Sequence, residues 1–275
     1  MSVATQQVRA SFAFVERNWN LVRRYWAWEL VWLAYSIANC LAVSYIGLGM
    51  EVLTGSSAVD TSFLVLYLLI GTLVWRYLSS IFYWVTEVIA IERWEGTIEY
   101  TLMAPVPRLV HLVGHTAFAV VYSMLFTGVI LVITVFLFDL DLRMANLPGA
   151  ILVLLAGSFS FVGIGVMGAV LPLLFPERGA QMTHIIVATL LLVSGVYYPV
   201  EVLPPALQAL SVLSPAYYVL EGVRAAILDN VATAELWKFI WPTLVLAVVM
   251  VPSGLWIFGQ AELYAKRKGK LARNG

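Results

Sequence analysis

Two histidines, His111 and His115, stand one helical turn apart, the separation two metal ligands need. Zinc centres take three or four protein ligands, and no third Cys, His or carboxylate lies close in sequence. The pair is therefore read as polar anchors, and no metal site is expected. His184 is a lone polar residue. The single Cys40 excludes an internal disulfide and any cysteine-based metal centre. No G-x-x-x-x-G-K-[ST] run occurs, so the chain has no P-loop cradle for nucleotide phosphates. No catalytic residues stand out. What does stand out is where the few charges fall.

The 275 residues are 61% hydrophobic and 12% charged, with sixteen Lys+Arg balanced by sixteen Asp+Glu and a mean hydropathy of +0.89. A soluble domain carries about 25% charged residues. The composition excludes a water-soluble enzyme, a disordered chain and a nucleic-acid binder, which needs a basic excess. The chain belongs in a bilayer. A helix needs about 20 mostly apolar residues to span it. Charged residues and His111 bracket six such runs, within 30–50, 60–87, 111–139, 143–177, 178–201 and 238–262. The runs are continuously apolar, without the alternation of barrel strands. The expected fold is all-α and polytopic, with six transmembrane helices over residues 29–262.

Residues 1–28 carry Arg9, Glu16, Arg17, Arg23 and Arg24 and do not read as a cleaved signal peptide. Val8, Phe12, Val15, Trp19, Val22 and Trp26 follow at spacings of three and four, one stripe of a helix. A basic, aromatic-faced amphipathic helix lies in the membrane surface; a helix packed on another domain is the alternative. With the N-terminus inside, twelve of the sixteen Lys+Arg fall on the cytoplasmic side and only Arg143, Arg224 and Lys238 outside. That satisfies the positive-inside rule, so both termini, including a basic tail over 263–275, are expected in the cytoplasm.

Two connections exceed simple turns. The first, 87–110, places Ile91, Trp94, Ile98, Thr101 and Leu102 on one side at helical spacing before Pro105 and Pro107 stop the helix. A flat amphipathic helix over about 88–108 is expected, with a solvated loop helix as the alternative. The second, about 197–236, is long and apolar. Pro199, Pro204, Pro205 and Pro215 cut it into short helical pieces such as 205–213 and 216–228. Such pieces dip back into the bilayer only where protein buries them or a cavity receives them, which points to an outer gate over about 197–230.

Arg76 is the one ionic residue inside a span, at a cost of about 2.5–3.5 kcal/mol on insertion scales. A structural or gating salt bridge, with Glu29 and Glu87 as possible partners, is favoured over direct substrate contact, and snorkelling to the cytoplasmic interface is the alternative. Ten Trp, thirteen Tyr and thirteen Phe fit interfacial belts, with a stacking surface for a sugar chain or flat drug as the sharper alternative. Gly157, Gly163, Gly165 and Gly168 read as close helix packing.

The run Glu92-Arg93-Trp94-Glu95-Gly96-Thr97-Ile98-Glu99, followed by Pro105-Val106-Pro107-Arg108, resembles the cytoplasmic helix of type-2 ABC exporter permeases. The segment Ser194-Gly195-Val196-Tyr197-Tyr198-Pro199-Val200-Glu201-Val202-Leu203-Pro204, then Ser214-Pro215 and Glu221-x-x-Arg224, resembles that family's second signature. Trp94 departs from the pattern, where a polar or charged residue is usual.

The resemblance implies that the 88–108 helix is a coupling helix seated in a separate ATP-binding subunit. Glu92, Glu95 and Glu99 would be its contacts, with Arg93, Trp94, Thr97, Pro105 and Arg108 alongside and Gly96 at close approach. The N-terminal helix would be the interface helix. The outer gate would use Tyr197, Tyr198, Pro199, Glu201, Pro204, Pro215, Glu221 and Arg224. Two permeases, a homodimer or two related chains, would join two ATPases, with ATP and Mg on the partner and no cofactor on this chain. The cargo would be a drug, lipid or lipid-linked glycan moved outward through the cell membrane. An integral-membrane enzyme would need clustered intramembrane His, Asp or Glu. An ATP-independent scaffold or channel would have no use for the Gly96-Thr97 helix.

Overall fold

The computed structural model describes residues 3–54, 61–103, 106–140 and 142–268, and every regular element among them is helical. Five helices are long and apolar enough to cross a membrane: α2 (Trp26–Thr54), α3 (Thr61–Thr86), α6 (Arg108–Phe138), α7 (Leu147–Gly168) and α12 (Trp237–Arg267). α1 (Val3–Arg24) precedes them, and α4 (Val88–Glu95) and α5 (Ile98–Met103) occupy the first long connection. α8 (Val170–Leu174) extends α7.

The fifth apolar run is shorter than its charge-free length implies. It is helical only over α9 (Gly179–Val193), 15 residues, which at 1.5 Å per residue is about 22 Å against a hydrocarbon core of about 30 Å. Gly195 adopts φ +69°, and with Pro199 it turns the chain before residue 201. Among the described residues the architecture is thus five helices long and apolar enough to span, with one shorter apolar helix. Beyond it lie a 3-10 turn (Val200–Val202), α10 (Pro205–Ser211) and α11 (Pro215–Ile227). Both helices begin on a proline, whose missing amide is spared at that position.

α3 and α7 form the middle of the bundle: 61% of the apolar window of each is buried, against 22% for α2, α6 and α12. Tyr77 of α3 and Ser158 of α7 share a buried hydrogen bond of 2.6 Å. α7 and α12 touch almost backbone to backbone, since a Cβ on Gly163 would lie 2.8 Å from the main chain of Met250. Pro242 and Pro252 sit inside α12 without ending it. At the end of the bundle remote from α4, the Asn146 side chain accepts from the Gly149 amide at 3.0 Å and donates to the Val231 carbonyl at 2.8 Å. This ties the start of α7 to the segment after α11.

α1 lies against the first turns of α6. Its apolar stripe is not the face that packs: Val8, Phe12 and Trp19 are exposed. The packed face is a mixed edge on which Ser11 and Asn18 flank Phe14, whose ring lies against His111 and His115. Ser11 Oγ donates to the Val110 carbonyl at 3.3 Å, and Gly114 of α6 gives the room, because a Cβ there would meet the Ser11 carbonyl at 2.5 Å.

Candidate functional site

The first long connection is an elbow rather than a continuous helix. α4 ends in a left-handed cap: Gly96 takes φ +72°, and the Thr97 amide donates to the Glu92 carbonyl at 2.8 Å. That is a glycine-capped helix end, in which the amide beyond the glycine closes on a carbonyl one turn back. α5 then starts in a new direction. The Glu-Gly-Thr sequence is therefore, first, a bend.

Glu92 sits at the centre of this bend with its side chain inside the protein, 1% exposed. Arg17 of α1 donates to its Oε1 at 2.8 Å, His111 Nε2 of α6 lies 2.9 Å from the same oxygen, and Thr101 Oγ1 donates to it at 3.2 Å. The same guanidinium reaches Glu95 Oε2 at 3.3 Å and Thr97 Oγ1 at 2.9 Å. Burial alone would raise the Glu92 carboxyl; His111 and Arg17 outweigh it and hold the carboxyl below its ordinary range. One turn along α6, His115 Nδ1 lies 2.9 Å from the Asn18 amide of α1. Three elements separated in sequence are thereby fastened at one point.

This places two of the groups singled out in the sequence. Glu92 turns inward and joins the elbow to α1 and α6. His111 and His115 are not interfacial anchors but buried members of the same cluster, 2% and 7% exposed. What the elbow displays is apolar and aromatic: Trp94 is 68% exposed, and Tyr100 and Met103 are exposed beside it. The rings of Trp94 and Tyr25 lie 5.7 Å apart. Glu95 is partly covered and forms, with Glu16, Arg17, Asn20 and Arg24, the polar wall of a cleft of about 420 Å³ between α1 and the elbow. Pro105 lies outside the described residues, as do residues 55–60, residues 269–275 of the basic tail and the side chains of Arg93, Glu99 and Arg108.

The opposite end is organised by Arg224 of α11, 5% exposed. Its guanidinium donates to the carbonyls of Gly195 at 3.0 Å and Val196 at 2.7 Å. It lies 3.7 Å above the Tyr67 ring of α3 and reaches Glu221 at 3.3 Å. Gly71 of α3 lets this turn approach, since a Cβ there would be 2.1 Å from the Val196 oxygen. The Ser194 and Ser214 hydroxyls meet at 2.7 Å, and Tyr198 Oη donates to the Leu192 carbonyl at 2.6 Å. Pro215 is buried and Tyr197 half-buried, whereas Pro199, Glu201 and Pro204 are exposed. The residues singled out here thus divide into an inner pin and an outer rim.

Arg76 forms no ion pair among the described residues. Its guanidinium sits 4.2 Å above the Phe126 ring, a contact that compensates a desolvated cation. Glu29, expected to face it, instead accepts the hydroxyl of Tyr122. Arg17 and Asn18 are the members of this cluster that the sequence pattern missed; the signal available was a cation and an amide side by side away from the aromatic stripe.

These features define a polytopic, all-α membrane protein with a locked helical elbow at one end and a pinned, proline-cut cap at the other. The chain belongs to the ABC-2 type transporter family, whose profile matches residues 10–228. Over 132 residues it is 30% identical to the inner membrane transport permease YadH of Escherichia coli (strain K12), covering 48% of this chain and 50% of that protein. The same values hold for the YadH permease of Shigella flexneri. The chain spans about half the length of the curated relatives it matches.

Proposed function

We propose that this chain is the membrane-spanning subunit of an ATP-driven exporter, worked by a separate ATP-binding subunit that docks on the α4–α5 elbow. The observation that carries this reading is the combination at residues 92–103. Apolar side chains, Trp94, Tyr100 and Met103, are exposed there, while Glu92 welds the base of the elbow to α1 and α6. A push on such a surface moves the attached helices as a body. Family membership and the YadH relatives support a transport role in an inner membrane.

The working unit is two such chains, identical or related, with two ATPases that hold ATP and Mg. Both termini face the cytoplasm, by the distribution of Lys and Arg. The exposed stripe of α1 rests in the lipid surface. The cargo is hydrophobic or amphipathic, because polar groups in the spans are few and mostly bonded within their own helices. It enters from the cytoplasm or inner leaflet and leaves past the Arg224-pinned cap.

Co-purification tests the docking. Tyr100→Asp with Trp94→Asp should release a co-expressed ATP-binding subunit while the permease itself stays folded. Retention of the subunit at full occupancy would contradict the proposal.

A further inference from the structure

The lock at the elbow contains a second arrangement that its hydrogen bonds do not exhaust. Glu92, His111 and His115 each place one donor atom so that all three lie within 4.8 Å of one another, and all three side chains are buried. Among the described residues, Glu92 Oε2 and His115 Nε2 are buried side-chain atoms of this cluster without a hydrogen-bond partner. Orphaned polar atoms are costly in a protein interior, and here both belong to one buried three-residue cluster. From this we infer that Glu92 Oε2, His111 Nε2 and His115 Nε2 form a binding site for a divalent transition-metal ion, with zinc as the reference ion.

The chemistry of the donors fits. Two imidazoles and one carboxylate are a three-ligand set that leaves a position for water. A tetrahedral ion with bonds of about 2.1 Å sets its donors about 3.4 Å apart, so side-chain rotation of an ångström or so closes the site. The surrounding contacts are those that orient ligands elsewhere. Arg17 and Thr101 bond Glu92 through Oε1 and leave Oε2 free. Asn18 Nδ2 lies 2.9 Å from His115 Nδ1; flipping that amide brings its oxygen to Nδ1, so that the ring carries its proton there and offers the Nε2 lone pair to the ion. His111 takes the same tautomer when the ion replaces its proton at Glu92.

Charge does not forbid the ion. With both imidazoles neutral, Arg17, Glu92 and Glu95 leave one net negative charge in the cluster. The bound ion would staple α1, α4 and α6 at the base of the elbow, so its removal would loosen the part of the chain that carries the exposed Trp94.

The test uses the full-length chain, purified in detergent without a histidine tag and stripped with chelator. Titrated with Zn²⁺ alone, it should bind one equivalent per chain with a rise in unfolding temperature. Co²⁺ should give the visible bands of a low-coordinate nitrogen- and oxygen-ligated ion. His115→Phe keeps ring volume beside Phe14 and should abolish both, and Asn18→Ala should weaken affinity about tenfold or more. No uptake by the stripped wild-type chain would overturn the inference. So would a Co²⁺ spectrum that persists in a folded His115→Phe or Glu92→Gln chain. If His115→Phe does not fold, the wild-type stoichiometry and Co²⁺ spectrum decide alone.

Discussion

Arg17 and Glu92 are 75 positions apart in sequence, yet their side chains meet at 2.8 Å inside the protein. This contact decides what the Glu-Arg-Trp-Glu-Gly-Thr run does in the fold. Its first carboxylate faces inward to hold the elbow, and its aromatic residue faces outward.

Arg17→Met tests that lock. Removing one partner of a buried ion pair costs about 3–5 kcal/mol. Arg17 retains 24% exposure and His111 still faces Glu92, so the lower end, about 3 kcal/mol, is expected. Thermal unfolding in detergent should show it, together with faster proteolysis at the α1–α2 joint around Tyr25.

Gly96→Ala tests the bend. A left-handed backbone costs an L-residue about 1–2 kcal/mol, and φ at Gly96 is +72°. The variant should fold with a lower unfolding temperature and show reduced stimulation of the ATP-binding subunit. An Ala substitution at Gly128, where a Cβ meets nothing within 4 Å, should leave both unchanged.

Much of this was readable beforehand. Charge-free runs located α2, α3, α6, α7 and α12 because twenty-odd apolar residues have one stable form in lipid, a helix. The prolines of 197–236 located α10 and α11 because proline cannot continue a helix but can begin one. The elbow was legible as amphipathic, but the inward turn of Glu92 was not. Periodicity over 88–103 assumes one straight helix, and the left-handed Gly96 breaks the register. The triad of Glu92 with His111 and His115 was invisible for a similar reason: its members join across two breaks at Gly96 and Pro107. α1 misled in another way, since its packing face is the mixed edge carrying Asn18.

At the opposite end, Arg224→Lys should destabilise the cap. A lysine cannot bond the Gly195 and Val196 carbonyls together while lying flat on Tyr67, and a hydrogen bond to a charged group contributes about 1.5–3 kcal/mol. Gly71→Ala should cost about 1–3 kcal/mol from overpacking, because the Val196 oxygen lies 2.1 Å from the new carbon. Thermal unfolding of both single variants and the double should show non-additive losses, since both act on one turn.

Glu87, just beyond α3, supplies a pH test. Burial pushes its carboxyl above the ordinary range. A carboxyl raised in the folded state leaves stability full below its unfolded value, about 4.3, and lowers it as pH rises through the folded value. Glu87→Gln should therefore match the wild type at acid pH and unfold at a higher temperature at pH 7. Equal unfolding temperatures at pH 7 would show that Glu87 is solvated.

The central claim is that force enters this chain from a separate ATP-binding subunit through the elbow. Cys40, the only cysteine, is buried, so a Cys40→Ser background carrying Tyr100→Cys gives one reactive thiol on the exposed face. The direct measurement is crosslinking from that thiol in reconstituted vesicles that carry out ATP-dependent export. The account predicts a crosslink to the ATP-binding subunit whose formation stops export. Export that continues unchanged after quantitative modification of the thiol with a bulky reagent, with no crosslink to any ATP-binding subunit, would contradict it.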